Sequence, residues 1–187
     1  MIAMKKRTGM SKRGARPGPS GLAKDFAIFC IMGGVFMIME VLFRVLDYPV
    51  PSGLIDMSVM SPYALVGYTS FWMFLVGGLS GFLIGQLNFC PAVSSVPYRL
   101  QVLLGGLIIV VLELVSGLIL NVWLGFHLWD YSGFAFNFMG QICLAASALW
   151  VALTPLAMWL DDVLRYYMGD QPKPDRLLDY YLDIFRT

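Results

Sequence analysis

Four long apolar segments constrain this chain more than any other feature. They run from about Phe26 to Leu46, Tyr63 to Leu87, Leu100 to Leu124 and Phe138 to Leu160. Each is close to the ~20 residues that a helix needs to cross a bilayer. Only 13% of the residues are charged, whereas a soluble domain has about a quarter. The sequence therefore predicts an all-α, polytopic membrane protein with four transmembrane helices.

The distribution of basic residues predicts how these helices are oriented. Of the 13 Lys and Arg residues, seven precede residue 25, and the loops after the first and third segments contain none. Cytoplasmic loops are the ones that carry an excess of Lys and Arg. Both termini are therefore expected in the cytoplasm, with Arg44, near the outer end of the first helix, as the exception.

Two tails flank the predicted transmembrane domain, which covers residues 25–162. Residues 1–24 are basic and rich in Gly, Pro and Ser, so we expect a disordered cytoplasmic tail. Residues 163–187 are expected to form a cytoplasmic tail with a short amphipathic helix. Its apolar face would consist of Leu177, Leu178, Tyr181, Leu182 and Phe185, opposite Asp179 and Asp183. Such a face suits the membrane surface, a partner's groove or the protein's own cytoplasmic side.

Glycines recur at four-residue spacing in the second segment, at Gly77, Gly81 and Gly85. Small residues on one helix face let two backbones approach closely, so this stripe is predicted to be a packing face, with a substrate groove as the alternative. Gly117 belongs to a similar stripe in the third segment.

Three charged residues lie inside predicted helices: Glu40, Arg44 and Glu113. A charge near the bilayer centre costs roughly 2.5–3.5 kcal/mol on insertion scales, so each needs a partner or a function. Glu40 and Arg44 are four residues apart and share a helix face. Because Glu113 is expected at a similar depth, we predict one network that joins the first and third helices through the forked guanidinium.

More polar residues are expected near the same outer end of the helices. They are Asn121, His127, Trp129, Asp130, Asn137 and Gln141. The sequence thus predicts a polar cluster that opens outward, and two interpretations remain: a site that contacts a ligand, or a network that only holds helices together. His127 is expected to be an interfacial hydrogen-bonding residue rather than a metal ligand or a base.

Sites for common catalytic chemistry are missing from the sequence. No nucleophile–base set or metal-ligand spacing is present, and Cys30, Cys90 and Cys143 have neither disulfide-framework nor zinc spacing. The segment after Gly140 is predicted to be helical, so it is not expected to form a phosphate-binding loop. We expect no cofactor, no metal, no catalytic residue and no specific nucleic-acid binding.

One run of residues resembles a known bacterial family, the putative ABC-transporter type IV or CmpB-like permeases. The resemblance is carried by Glu113-Leu-Val-Ser-Gly117, Asn121, Trp129-Asp-Tyr-Ser132, Asn137, Gly140-Gln-Ile-Cys-Leu144, Ser147 and Trp150. Glu40 also fits a glutamate of an earlier helix in the family. The basic N-terminal tail departs from the family pattern, as does Gln141, where members often have a basic residue.

The resemblance implies a small permease-like component of the bacterial cytoplasmic membrane. Four helices are fewer than most transporters use, so homo-oligomers or other membrane or cytoplasmic subunits are expected as partners beside the lipid bilayer. Two further functions stay open. One is a non-enzymatic membrane scaffold or regulatory subunit. The other is a membrane-embedded enzyme acting on lipid or envelope precursors, with Glu113, His127 or Asp130 as acid or base.

Overall fold

Helices dominate the residues that the structure describes. A computed structural model describes residues 21–47 and 68–186, without the side chains of residues 43–47. In chain order the helices are α1 (Leu22–Asp47), α2 (Phe71–Leu87), α3 (Pro91–Ser94), α4 (Tyr98–Gly117), α5 (Leu144–Tyr167) and α6 (Leu177–Leu182). A π-helical turn, Leu118–Trp123, continues α4, and β1 (Asn137–Phe138) pairs antiparallel with β2 (Ile142–Cys143). The predicted all-α fold class is confirmed.

Within the described ranges, three helices are long and apolar enough to cross a membrane. They are Leu22–Leu42 of α1, Tyr98–Trp123 and Leu144–Tyr167. The apolar helix α2 is shorter, with 17 residues, which lies at the lower end of the roughly 17–25 residues that span a bilayer. Length and composition thus fit a polytopic helical membrane protein.

The predicted helix ends differ from the observed ones. The first helix begins at Leu22 rather than Phe26. The side-chain oxygen of Ser70 caps α2 by accepting a hydrogen bond from Trp72 N. The predicted start at Tyr63 falls among residues 48–67, outside the described part of the chain.

The fourth predicted helix was wrong at both ends. Phe138 lies in β1, and the segment from Gly140 to Cys143 forms a turn and β2 instead of a helix. The helix begins only at Leu144, with the sulfur of Cys143 accepting a hydrogen bond from Ala146 N. It continues past Leu160 to Tyr167.

Helices α1 and α2 approach each other closely at reciprocal glycines. A Cβ on Gly33 would lie 2.5 Å from the carbonyl oxygen of Phe74, and one on Gly78 would lie 2.7 Å from that of Phe29. Backbone oxygens cannot rotate away as side chains can. Each glycine is therefore a site where the other helix requires hydrogen instead of a methyl group.

The predicted glycine stripe faces two different helices. The side chains that a Cβ would meet are Phe36 at Gly77, Met32 at Gly81, Asp161 at Gly85 and Gln141 at Gly117. Gly77 and Gly81 thus face α1, whereas Gly85 faces α5. A role for this stripe in assembly stays a prediction.

The interior of the bundle is unusually polar and its outside unusually apolar. Besides apolar residues such as Ile84, Tyr98 and Met158, the buried set contains Glu113, Asn121, Gln141, Thr154, Asp161, Asp162 and Arg165. On α4, Leu103, Leu107, Val111 and Val115 recur every four residues and are all exposed. In water the exposure of such a stripe would be unfavourable. Lipid around the helices removes that cost.

The C-terminal helix is shorter than predicted and buries a different face. Tyr180 and Asp183 are buried against the bundle, whereas Leu178, Leu182 and Phe185 are exposed. The Tyr180 hydroxyl donates a hydrogen bond to Asp162 at 2.7 Å. A polar anchor therefore positions this helix, and three of the five residues predicted for its apolar face are exposed, whereas Leu177 and Tyr181 are half-buried.

Adjacent glycines of α1 offer a matched test of the close helix contact. We expect Gly33→Ala to destabilise the protein by roughly 1–3 kcal/mol, because its methyl group would meet the Phe74 carbonyl. Gly34→Ala should be neutral or slightly stabilising, since nothing lies within 4 Å of its added Cβ and Ala favours helix. Thermal unfolding in detergent measures both. Equal behaviour of the two variants would contradict the packing described here.

Candidate functional site

A cavity of about 470 Å³ lies where α1, α4 and α5 meet the loop that follows the π-helical turn. Of the predicted cluster, Glu40, Glu113, His127, Trp129 and Asp130 line it. Asn121, Asn137 and Gln141 do not line the cavity but form hydrogen bonds that hold the loop in place. The structure thus divides the predicted cluster into lining and supporting residues.

Glu113 is buried in α4 and bonded from two directions. Its carboxylate accepts a hydrogen bond from the Tyr131 hydroxyl at 2.9 Å and one from the Trp150 indole N–H at 2.8 Å. Tyr131 belongs to the loop and Trp150 to α5. A single carboxylate therefore fixes both elements against α4.

Glu40 reaches the same cavity from α1. It is half-buried, and its carboxylate accepts a hydrogen bond from the Thr69 hydroxyl, just before α2. The two glutamates thus line one cavity from two different helices. The side chain of Arg44 lies outside the described residues, so the network of Glu40, Arg44 and Glu113 stays a prediction.

Asn121 organises the loop from inside the π-helical turn. Its Nδ2 donates to the Trp129 carbonyl at 3.1 Å and to Gln141 Oε1 at 2.9 Å, while its Oδ1 accepts from Leu128 N at 2.7 Å. A π turn adds one residue to a helical turn and is frequent at functional sites. Here it places a buried amide where the returning loop needs both a donor and an acceptor.

Gln141 is the second buried amide that holds this loop in place. Its side-chain nitrogen Nε2 donates a hydrogen bond to the Met139 carbonyl at 2.9 Å, and its backbone carbonyl accepts one from the Trp129 indole N–H at 3.0 Å. Its Oε1 is also the atom nearest to a Cβ placed on Gly117, at 2.6 Å. A larger residue at Gly117 would displace this amide and, with it, the wall residue Trp129.

The loop at the mouth of the cavity folds on side-chain caps. Asp130 accepts hydrogen bonds from the backbone N–H and the hydroxyl of Ser132, at 2.8 and 3.0 Å. These bonds lower the pKa of Asp130, and His127 acts in the same direction. Asn137 donates to the Phe134 carbonyl at 2.8 Å and accepts from Gly140 N at 3.1 Å.

Gly140 is required by its conformation and by its surroundings. Its φ is +68°, and a Cβ there would lie 2.7 Å from Asp130 Oδ1. The same loop holds three non-glycine residues at positive φ: His127, Phe136 and Met139. Such conformations cost of order 1 kcal/mol each and cluster at functional sites. The residue types at these three positions did not predict the positive φ values.

A second polar cluster, which the sequence analysis did not predict, lies at the opposite end of the bundle. Arg165 is fully buried and pairs with Asp161 at 2.8 Å, with Asp25 at 3.7 Å, and its guanidinium lies 4.7 Å from the centre of the Phe89 ring. Asp162 accepts hydrogen bonds from Tyr180 and, at 3.4 Å, from Asn88. The i,i+4 spacing of Asp161 and Arg165 is the one feature of the sequence that could have predicted this ion pair.

Removing the Tyr131 hydroxyl tests the central hydrogen bond of the cavity. Tyr131→Phe keeps the ring but removes one donor to buried Glu113, so we expect a loss of roughly 1–2 kcal/mol in stability. Tyr166→Phe is the control, because Tyr166 is exposed near the end of α5. Thermal unfolding in detergent compares the two. Equal unfolding temperatures would show that the Tyr131 hydroxyl does not stabilise the protein.

Comparison with known proteins identifies the same family that the loop residues resemble. No curated protein and no solved structure is significantly similar to the chain. The model of one protein family, described as putative ABC-transporter type IV, matches residues 25–172. This match covers α1 from Asp25 onward, α2 to α5, the cavity and, except for Tyr180, both polar clusters. The chain therefore belongs to the putative ABC-transporter type IV family, and its apolar helices make it a membrane protein of that family.

Proposed function

We propose that this protein is a permease-like component of a transport system and that its cavity receives the solute. The observation that carries the proposal is the cavity itself, about 470 Å³ with Glu40 and Glu113 on its wall. Small-molecule sites have volumes of roughly 300–1,000 Å³, with a few polar groups among apolar walls. Intramembrane carboxylates that face a cavity are typical of substrate and ion pathways.

The family description supports this role, and the small number of helices adds a condition. A pathway across the bilayer would need a homo-oligomer or other membrane or cytoplasmic subunits. The exposed stripe of Leu103, Leu107, Val111 and Val115 on α4 offers a helix–helix surface for such an assembly. We place the protein in the bacterial cytoplasmic membrane with both termini inside, because the basic residues lie almost entirely at that end.

Cysteine labelling tests this orientation. Native Cys90 is exposed after α2, on the side assigned to the cytoplasm. Gly133 is exposed in the loop and has nothing within 4 Å of an added Cβ. A membrane-impermeant maleimide should label Gly133→Cys in intact cells and leave the wild type unlabelled until the membrane is opened. Labelling of Cys90 in intact cells would reverse the proposed topology.

A scaffold or regulatory role is the second candidate. Leu178 and Phe185 on the C-terminal segment are 65% and 87% exposed, although α6 is anchored to the bundle through Tyr180. Exposed apolar residues on an anchored element are typical of a partner site. Gentle detergent purification with mass spectrometry separates the candidates: a bound ATPase supports transport, and a bound non-ATPase subunit supports the scaffold.

Filling the cavity tests the transport proposal directly. Ala146 lines the cavity, whereas Ala148 is exposed and does not. We expect Ala146→Trp to reproduce the effect of deleting the gene on intracellular solute pools, and Ala148→Trp to behave as wild type. Metabolite profiling of cells with equal amounts of each variant measures this. If both variants keep wild-type pools while the deletion changes them, the cavity is not the solute site.

A further inference from the structure

Aromatic residues form a large part of the cavity walls. Six rings line it: Phe36, Tyr68, Trp129, Tyr131, Phe134 and Trp150. The negative face of an aromatic ring attracts a cation, and the attraction is stronger when the site is desolvated. Several rings around one space are the arrangement that proteins use to bind quaternary ammonium groups.

The charge of the cavity has the sign that suits such a ligand. Its ionisable lining residues are Glu40, Glu113, Asp130 and His127, and among the described residues no Lys or Arg lines it. Arg44 is predicted to pair with the two glutamates. Even if that pairing holds, the two glutamates and one guanidinium leave one net negative charge, and the exposed Asp130 adds a second at the mouth of the cavity. A cationic ligand matches the sign of this charge.

The hydrogen bonds of Glu113 leave room for a ligand. Each carboxylate oxygen has two lone-pair sites, and the bonds from Tyr131 and Trp150 use one on each oxygen. The two donors also hold the carboxylate in a fixed position. A protonated amine entering the cavity would donate to these free sites, and a quaternary ammonium group, which has no N–H, would be attracted by the charge of the fixed carboxylate.

The form of the cavity favours an organic cation over a metal ion. In the described ranges, no group of three or more His, Cys, Asp or Glu side chains is placed to hold a metal. A space of about 470 Å³ is far larger than a dehydrated ion, and ring faces replace little of its hydration. An alkyl or aryl group attached to the charged nitrogen would fill that space.

Given the proposed transport role, we infer that the cavity binds an organic cation. The charged nitrogen is held by the glutamates, and the apolar body contacts the rings of Phe36 and Trp150. Such a group could come from a free amine solute or from the ammonium headgroup of a lipid. Both sources share the chemistry that the cavity recognises.

Benzyltrimethylammonium is a suitable probe, and neopentylbenzene is its uncharged isostere. Binding of each to the full-length protein in an uncharged detergent can be followed by tryptophan fluorescence, since Trp129 and Trp150 line the cavity. We expect the cation to bind more tightly than the isostere. Glu113→Gln should weaken cation binding at least about tenfold, and Asp179→Asn, on α6, should leave it unchanged.

Two outcomes would overturn the inference: equal affinity for the cation and its isostere, or unchanged cation affinity in Glu113→Gln and Glu40→Gln. The comparison of the two probes uses the wild type, so it holds even if a variant fails to fold. Repeating the titration in nanodiscs identifies the source. Competition by phosphatidylcholine but not by phosphatidylglycerol assigns the headgroup, and no competition by either assigns a free solute.

The ligand class and the transport role fail in different ways. If Ala146→Trp reproduces the deletion but the cation does not bind, the transport role stands and the ligand class is wrong. If the cation binds in the expected way but Ala146→Trp leaves solute pools unchanged, the ligand class stands and the transport role is wrong.

Discussion

Glu113 lies buried in α4, where its carboxylate oxygens accept hydrogen bonds from Tyr131 and Trp150. Lipid supplies no donor to a buried acceptor, so the protein has to bring both donors itself. The loop must therefore fold back over α4, and α5 must turn its indole inward. Trp150 in turn stacks on Phe36 of α1, with ring centres 5.3 Å apart. Phe36 occupies the space that a side chain at Gly77 would take, so this contact extends from α4 through α5 and α1 to α2.

The same requirement shapes the opposite end of the bundle. Arg165 is fully buried, and Asp161, Asp25 and the Phe89 ring surround its guanidinium. Gly85 has no side chain where the Asp161 carboxylate lies, so α2 and α5 can approach there. Removing one partner of such a pair costs roughly 3–5 kcal/mol, because the other charge stays buried alone. The bundle is thus closed by a charged cluster at one end and by a carboxylate with aromatic donors at the other.

Much of this architecture follows from apolar length alone, because a segment of about 20 apolar residues has few alternatives to a membrane helix. The errors lie where polar contacts override that signal. Phe138 and Ile142 were predicted to lie in a helix. In the structure, the Asn137 side chain accepts a hydrogen bond from Gly140 N, and the chain forms a hairpin. The buried face of the C-terminal helix differs from the predicted one because Tyr180 donates a hydrogen bond to Asp162. Hydrophobic periodicity does not reveal this contact, since the two residues are 18 apart in the sequence. At the cavity, Glu40 and Glu113 were identified by the cost of burying them. Tyr131 and Trp150 were noted only as residues of the family motif, and the structure alone shows that they donate hydrogen bonds to Glu113.

The polar cluster contains residues of two kinds, and this distinction bears on whether it serves stability alone. Asn121, Asn137 and Gln141 use their amides on backbone groups and on each other, which is how buried amides stabilise a loop. Glu113 differs from them in its chemistry. A glutamine at that position could accept the Trp150 indole N–H through Oε1 and donate from Nε2 to the Tyr131 hydroxyl oxygen without burying a charge, so stability alone does not call for a carboxylate there. Because this carboxylate also faces an aromatic cavity shared with Glu40, its charge is better explained by what enters the cavity than by what surrounds it.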